Sequence, residues 1–251
     1  VKWVTTWACR QLTEAHAADR ERMLDHVRGK LSSLDIDWTI DPQAIREDFM
    51  PRKSKYGPNC QPWSFARALP GYHARAVAAQ VQHLLVRGSL LDYNLHDLYF
   101  LGKKPKVEHG VAFHDSGSVR DISVGNWQMR AAAVELVRPF EEIADQVLHE
   151  SNVGWIRGRI INTPVARTNR RLHWARLRGH PAAVLLLDFA KAFPSVCLES
   201  MWAVLLAMGW PPSRVDALRH LHTDMRPTTC IGPHRFQGPL REAGLWTGSG
   251  A

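Results

Sequence analysis

The chain has 251 residues, with 32 Lys and Arg against 24 Asp and Glu, which gives a formal charge of +8 and a pI near 9.6. Hydrophobic residues make up 45% and charged residues 22%, which excludes a disordered tail or a fibrous repeat and suffices for one large or two small domains. The four cysteines form no CxxC or CxxxC pair and no apolar run approaches the roughly 20 residues of a membrane span, so the sequence argues against a disulfide framework, a zinc ribbon and a membrane protein.

The two ends of the chain lead to two further expectations. The chain begins at Val1 rather than Met and stops at Ala251 without a recognisable terminal element, so we expect a fragment. No charged-then-apolar leader opens the sequence, so we expect an intracellular protein that is not secreted, with nucleus and cytoplasm not distinguished.

In chain order, the first predicted elements are two helices and a β-ribbon. Apolar spacing predicts an amphipathic helix within 11–34 and a second helix over 72–86, separated by a stretch rich in Pro and Gly. Residues 98–126 alternate short apolar groups with Gly, Lys and Asp, which predicts a small β-ribbon with basic side chains. A further helix is predicted over 131–148, where Pro139 starts a new turn or kinks the helix.

The most distinct predicted strand is the apolar run Ala182–Leu187, which ends in Asp188. A continuous apolar run is typical of a strand that is covered on both faces. A helix follows over 198–208 and stops at Gly209, and another begins where Ser213 and Asp216 have the spacing of a capping box.

Basic residues occur in clusters along the chain, which is typical of proteins that bind phosphate backbones. A solvated basic surface is the alternative interpretation. The clusters are Arg52-Lys53-Lys55, Lys103-Lys104-Lys106, Arg157-Arg159 and Arg167-Arg170-Arg171-Arg176-Arg178.

Asp188 is the candidate catalytic residue. A carboxylate at the end of a buried strand is held where a hard cation such as Mg²⁺ could bind it. The alternative is that this aspartate only caps the next helix. The segment Asp188–Val196, D-F-A-K-A-F-P-S-V, resembles the first palm motif of reverse transcriptases of the non-LTR retrotransposon type, D-F-x-K-A-F-D-S-V, with Pro194 in place of the second aspartate.

This resemblance implies specific roles for three residues. Asp188 would bind both catalytic magnesium ions, and the backbone carbonyl of Phe189 would join one of them. The ring of Phe193 would lie against the sugar of the incoming nucleotide, where it would clash with a 2′-hydroxyl and so favour deoxynucleotides. A core aromatic is the alternative for Phe193.

Segments that resemble the fingers of the same family lie upstream in the same order. They are Gly57–Trp63 (G-P-D-G-x-P-Y in the family, with departures at Asn59, Cys60 and Trp63), the L-P-K-like Leu101–Lys106, and the R-P-I-S-like Arg120–Ser123. The resemblance implies nucleotide contacts for Arg120, Lys103, Lys104 and Arg130, whereas a solvated basic ribbon is the alternative.

Two more segments flank the first palm motif. Gly154–Arg159 resembles G-F-x-x-G-R, which implies template contacts for Arg157, Gly158 and Arg159, with surface charge as the alternative. The family's second palm motif, G-V-R-Q-G, corresponds to the tail Gly244, Leu245, Trp246, Thr247 and Gly248, although Trp246 and Thr247 depart from it. The pair Gln237-Gly238 is an alternative register.

The sequence therefore predicts an α+β, helix-rich chain with a partial right-hand polymerase fold: an N-terminal helical lead over 1–45, a fingers-like region over 46–130 and an incomplete palm over 131–251. The implied parent activity is RNA-templated DNA synthesis with two Mg²⁺ ions, an RNA template, a DNA primer and deoxynucleoside triphosphates, and the oligomeric state is not predicted. Two-metal chemistry needs a second source of carboxylates, the family's aromatic-x-Asp-Asp hairpin, which would fall beyond Ala251. We therefore expect the 251-residue chain itself to be inactive.

Two alternatives belong to other functional classes. The first is a non-catalytic nucleic-acid-binding remnant, in which the basic surface persists and Asp188 binds no metal. The second, a small-molecule α/β enzyme, would need a cofactor-binding loop, and the sequence contains no Walker loop and no G-x-S-x-G elbow.

Overall fold

A computed structural model describes residues 14–48, 58, 60–61, 63–87, 96–102, 106–114, 119–154, 156–188, 192–223, 227–238 and 244–245. The helices are α1 (Glu14–Val27), α2 (Pro42–Asp48), α3 (Trp63–Ala68), α4 (Pro70–Arg87), α5 (Trp127–Val147), α6 (Asn162–Leu177), α7 (Leu198–Met208) and α8 (Pro212–Leu221), with a 3₁₀ turn at Phe193–Ser195. The strands are β1 (His96–Gly102), β2 (Lys106–Glu108), β3 (Val111–Phe113), β4 (Val119–Gly125), β5 (Thr228–Ile231) and β6 (His234–Gln237).

The chain divides into two compact units. The first unit comprises Val1–Leu34, Trp38–Val137 and Lys191–Ala251, and the second comprises Asp35–Asp37 and Arg138–Ala190. Helix α5 begins in the first unit and ends in the second. This division differs from the predicted boundaries at 45 and 130, because segments far apart in sequence pack into one unit.

A four-stranded sheet in the first unit has the order β4-β1-β5-β6. Strand β1 pairs antiparallel with β4, from His96 opposite Gly125 to Gly102 opposite Val119, and parallel with β5. Strands β5 and β6 form an antiparallel hairpin, and β2 and β3 form a separate two-stranded sheet. The mixture of helices and sheet agrees with the predicted α+β class. The ribbon predicted over 98–126 corresponds to β1 to β4, whereas the β5–β6 hairpin was not predicted.

Helix α4 places its apolar stripe in the core of the first unit. Val77, Val81 and Leu84 recur at helical spacing and are at most 1% exposed. They were predicted from their spacing within 72–86, and the observed helix extends that range by two residues at its start and one at its end. Local periodicity was therefore sufficient to predict this element and its buried face.

The N-terminal helix α1 belongs to the first unit rather than forming a separate lead. The turn after it donates two backbone hydrogen bonds to the end of α7: Gly29 N–H to the Ala207 carbonyl (2.7 Å) and Leu31 N–H to the Met208 carbonyl (2.9 Å). The last carbonyls of a helix lack partners within the helix. The turn supplies these partners, while Gly209, with φ of +107°, ends α7 in the left-handed conformation that favours glycine.

Helix α8 begins differently from the sequence-based prediction. Its N-cap is Pro211, and no side chain caps its first N–H groups. Asp216 instead pairs with Arg219, three residues further along the helix, at 3.1 Å. The predicted capping box of Ser213 and Asp216 is therefore wrong. Pro212 at the first helical position has a φ suited to the helix and no N–H to satisfy.

None of the described helices is both long enough and apolar enough to span a lipid bilayer. The described cysteines Cys60, Cys197 and Cys230 are free thiols.

Candidate functional site

Asp188 lies at the end of an exposed segment without regular secondary structure in the second unit. Residues 181–188 have no regular secondary structure, and Leu185, Leu186 and Leu187 are 79%, 89% and 80% exposed. The prediction of a covered strand over Ala182–Asp188 is therefore wrong, since none of the described strands β1 to β6 pairs with this segment. A strand needs a neighbour to satisfy its backbone N–H and C=O groups, and an apolar run cannot supply that neighbour itself.

The described residues do not complete a two-metal site around Asp188. Within the described ranges, no three His, Cys, Asp or Glu side chains gather into a group that could hold a metal ion. Two magnesium ions need carboxylate ligands beyond a single aspartate. Phe189, whose carbonyl was predicted to join the site, lies outside the described residues.

Phe193, by contrast, lies next to the segment predicted to be the second palm motif. The Leu245 N–H donates to the Phe193 carbonyl at 2.8 Å, and the Gly244 N–H donates to the Val196 carbonyl at 2.9 Å. The Phe193 side chain is 47% exposed, so it is not the core aromatic of the alternative interpretation. Two segments far apart in sequence are thus joined by backbone hydrogen bonds in the first unit.

The alternative register at Gln237-Gly238 has a different structural role. Gln237 ends β6, and the Gly238 N–H donates to the Pro227 carbonyl at 2.7 Å, which closes the base of the β5–β6 hairpin. A Cβ atom on Gly238 would lie 2.4 Å from the same carbonyl oxygen, so close backbone approach explains this glycine. The later register, at Gly244, is the one whose described residues contact Phe193 and Val196.

The predicted nucleotide contacts of the fingers are described only in part. Arg120 is exposed on β4. Arg130 is half-buried in the first turn of α5, where its backbone N–H donates to the Asn126 carbonyl at 3.2 Å. Both residues belong to the first unit with Phe193. The remaining predicted contacts lie outside the described residues: Lys103, Lys104, Trp246, Thr247 and Gly248.

Arg157 and Gly158 lie in an exposed turn of the second unit. Gly158 has φ of +83°, and nothing lies within 4 Å of the position a Cβ atom would take. The glycine is therefore needed for the backbone conformation of the turn rather than for close approach of two backbone segments.

Arg159 is a helix cap rather than a free phosphate-binding group. Its guanidinium donates to the carbonyls of Asp145 (2.8 Å), Leu148 (2.8 Å), His149 (2.6 Å) and Asn152 (2.7 Å), and its Nε–H donates to Asp145 Oδ1 (2.7 Å). A guanidinium has five N–H donors, and all five are used here. These acceptors lie at the end of α5 and just beyond it, where a cation is also favoured by the helix dipole. The resemblance implied a template contact for Arg159, whereas its five donors bind acceptors that tertiary packing supplies and the local sequence does not reveal.

Replacing Arg159 with alanine is expected to lower the free energy of unfolding by about 2–3 kcal/mol, because it leaves helix-end carbonyls without their charged donor. Arg159→Lys is expected to recover only part of this loss, since a lysine keeps the charge but not the five-donor fork. The midpoint of urea unfolding measures both effects.

Arg157→Ala is the matched control, because Arg157 is exposed two residues away. We expect it to change the stability by less than about 0.5 kcal/mol. If Arg159→Ala left the urea midpoint unchanged but weakened RNA binding, the capping assignment would be overturned in favour of template contact.

A polar cluster on the sheet, centred on the buried Asp97, was not predicted from the sequence. Asp97 on β1 has a side chain only 3% exposed and pairs with Arg235 on β6 at 2.6 Å, across the intervening strand β5. The Tyr99 hydroxyl donates to Asp97 Oδ2 at 3.4 Å. The available signal was an aspartate within the otherwise apolar β1 segment, H-D-L-Y-F-L-G. The cluster holds the β5–β6 hairpin against β1.

This cluster predicts a loss of stability at alkaline pH. Burial, a hydrogen bond with Cys230 and the nearby Asp97 charge raise the pKa of Tyr99 from 10.0 to about 12. The folded state therefore holds the phenolic proton more tightly than the unfolded state, so this contribution is fully present below pH 10 and is lost as the pH rises from 10 to about 12. Urea midpoints measured across this range should fall less steeply for Tyr99→Phe than for the wild type. Parallel profiles would contradict the assignment.

The structure thus brings some of the predicted site residues together and leaves others in a separate unit. The first unit contains Phe193, Gly244, Arg120 and Arg130, whereas the second contains Asp188, Arg157, Gly158 and Arg159. No protein-family model matches the chain, and no curated protein matches it.

Proposed function

We propose that this chain forms the fingers and the first half of the palm of a reverse transcriptase of the non-LTR type. The motifs that resemble this family follow one another in the family's order, from Gly57–Trp63 to the tail at Gly244. The reaction of the parent enzyme joins the 3′-hydroxyl of a primer to the α-phosphate of a deoxynucleoside triphosphate and releases pyrophosphate, with an RNA strand as template.

The observation that carries the proposal is the pairing of Phe193–Val196 with Gly244–Leu245. In the proposed assignment, these are the end of the first palm motif and the start of the second, and both motifs have to meet at one nucleotide. Two backbone hydrogen bonds, 2.8 and 2.9 Å long, join these segments, which supports the assignment. The competing register at Gly238 has no such contact, since its N–H is bound to Pro227.

The exposed ring of Phe193 supports a role in selecting the sugar. A ring that is 47% exposed next to a backbone junction can contact a ligand, whereas a packed core ring cannot. We infer that Phe193 excludes the 2′-hydroxyl of ribonucleotides by steric contact, as the resemblance implies.

The proposed activity requires ligands that the described residues do not provide. Two Mg²⁺ ions, when bound, would neutralise the triphosphate, and Asp188 would be one of their ligands. The second set of carboxylates would come from the continuation of the reading frame beyond Ala251. On this proposal the 251-residue chain binds nucleic acid without polymerising.

Primer extension tests the proposal directly. The reading frame continued past Ala251 should give a protein that, with Mg²⁺, an RNA template and a DNA primer, incorporates deoxynucleotides and discriminates against ribonucleotides. The 251-residue chain should incorporate neither. The continued frame should also contain an aromatic residue followed shortly by paired aspartates. A frame without them, or a protein with them that never extends a primer, would refute the polymerase assignment.

The alternative function is a nucleic-acid-binding remnant, and the basic, exposed surface of α6 supports it. This helix carries arginines without acidic partners in its own sequence and has no buried residue. RNA binding without incorporation by the continued frame would support the remnant. In both cases RNA binding should weaken as the salt concentration rises. The slope of log K against log salt concentration should be about −0.7 per phosphate neutralised on a single strand.

A further inference from the structure

Helix α6 and the residues on either side of it form the most strongly basic segment of the second unit. Residues 156–181 contain seven arginines and no aspartate or glutamate. Helix α6 has no buried residue over its 16 positions, so its side chains are displayed to solvent along its whole length. A helix with this charge and exposure has a surface available to a polyanion.

Four side chains form one stripe along this helix: Arg170, Arg171, Trp174 and Arg178, hereafter the arginine–tryptophan stripe. Trp174 is four residues from Arg170, three from Arg171 and four from Arg178, the C-cap residue of α6, so each arginine is its neighbour on the helix surface. From Arg170 to Arg178 the stripe spans about 12 Å at 1.5 Å per residue, which is long enough to contact more than one phosphate of a single strand.

The stripe has an exposed aromatic ring among its cations. Trp174 is 53% exposed, and the Arg178 guanidinium lies 4.9 Å from the centre of its ring. Within the described ranges, no carboxylate forms an ion pair with the three arginines of the stripe. Arg167, on the same face, is instead held by Glu150. The stripe therefore combines an exposed aromatic ring with positive charge with which no described carboxylate pairs.

We propose that the arginine–tryptophan stripe of α6 binds single-stranded nucleic acid, with the arginines on successive phosphates and Trp174 stacked on an unpaired base. Arginine and aromatic side chains combined in this way are the general means by which proteins hold single strands without sequence preference. The inference rests on the proposed function for the class of its ligand, a nucleic acid, and is independent of catalysis.

The position of Trp174 distinguishes a nucleic acid from a lipid surface. A basic amphipathic helix that lies on a membrane carries its aromatic residues on the apolar face. Val165 and Leu172 of α6 and its N-cap residue Ile161 lie on the opposite side of the helix from Trp174, whose neighbours at helical spacing are Arg170, Arg171, Leu177 and Arg178. A ring that lies among arginines along a helix can stack on a base while the arginines bind the adjacent phosphates.

The test is the binding of the full 251-residue chain to a fluorescein-labelled 12-nucleotide single-stranded RNA, measured by fluorescence anisotropy without nucleotide or primer. R170Q/R171Q is expected to raise Kd at least 10-fold and to reduce the salt slope by about 1.4, equivalent to two phosphates at about 0.7 each. W174A is expected to raise Kd by at least 5-fold, with partial recovery in W174F.

Two matched controls separate the stripe from bulk charge. R176Q changes an arginine on the opposite side of the same helix and should raise Kd less than 2-fold, against at least 3-fold for R171Q. The double variant R75Q/R87Q removes two exposed arginines from α4, so it lowers the net charge as much as R170Q/R171Q does. It should leave the salt slope nearly unchanged.

Several outcomes would overturn the inference. They are an equal increase in Kd for R171Q and R176Q, an unchanged Kd for W174A, or tighter binding of the chain to anionic lipid vesicles than to RNA. The binding assay contains no polymerisation step, so it tests the stripe separately from the polymerase proposal. If the continued reading frame extends a primer but R170Q/R171Q binds RNA as tightly as the wild type, only the stripe is overturned.

Discussion

Replacing Arg214 with alanine is expected to lower the free energy of unfolding by about 3–5 kcal/mol. Its side chain is only 2% exposed, and its guanidinium donates to the backbone carbonyls of Glu135 (3.2 Å) and Leu136 (2.9 Å) and to that of Trp38. These carbonyls belong to segments far apart in the sequence. Loss of the guanidinium leaves buried acceptors without a donor in the core of the first unit.

The ring of Trp38 adds to this effect. The Arg214 guanidinium lies 5.2 Å from the centre of the Trp38 ring, and the same ring packs against Trp210 at 5.3 Å. A cation over a partly buried ring contributes about 1 kcal/mol. Removal of Arg214 therefore disturbs a hydrogen-bonded and an aromatic contact together.

The control for Arg214 lies on the same helix. Arg219 is 41% exposed and pairs with Asp216 on the surface, so Arg219→Ala should cost less than about 1 kcal/mol. Urea unfolding followed by circular dichroism measures both variants. If Arg214→Ala does not fold, Arg214→Lys provides the graded measurement and should lose part of the stability. An Arg214→Met variant as stable as the wild type would contradict the role assigned to the buried guanidinium.

Replacing Asp188 with asparagine in the continued reading frame is expected to reduce deoxynucleotide incorporation by at least about 1,000-fold, equivalent to about 4 kcal/mol in activation free energy. Asparagine keeps the size of the side chain and removes its charge, so a metal ligand is lost without a change in packing. Asp188 is exposed at the end of a segment without regular secondary structure, and the folded state should tolerate the change. Primer extension at saturating Mg²⁺ measures the effect.

Glu199→Gln is the matched control for this prediction. Glu199 is an exposed carboxylate in the first turn of α7, outside every proposed motif role. Its replacement should leave incorporation within about 2-fold of the wild type, and both variants should bind single-stranded RNA as the wild type does. Full incorporation by Asp188→Asn would refute the catalytic role of this aspartate and with it the polymerase proposal.

Several features were predictable because the signals that determine them act within a few residues. The buried face of α4 follows from helical periodicity, and α7 ends at Gly209 because a glycine there adopts a positive φ at low cost. The β-ribbon over 98–126 was predicted from alternation and turn residues. The family resemblance favoured the register at Gly244 over that at Gly238, but the contact of the Gly244 segment with Phe193 was not predicted.

Other features depend on partners that are distant in the chain. The sequence pattern of Ala182–Leu187 indicates a strand, but a strand forms only where another segment accepts its hydrogen bonds, and none of the described strands does so. The pattern around Arg159 predicts a phosphate contact, whereas packing brings the end of α5 within reach of its five donors.

The amino-acid sequence alone determined the helical faces, the helix ends set by glycine and proline, and the order of the motifs, because each depends on local backbone preference and side-chain periodicity. Only the tertiary structure decided which arginines are structural and which are exposed, where α1 packs, and which register contacts Phe193. Hydrogen bonds and charges are satisfied by whatever groups the folded chain brings within about 3 Å, and that proximity is not encoded in any single segment.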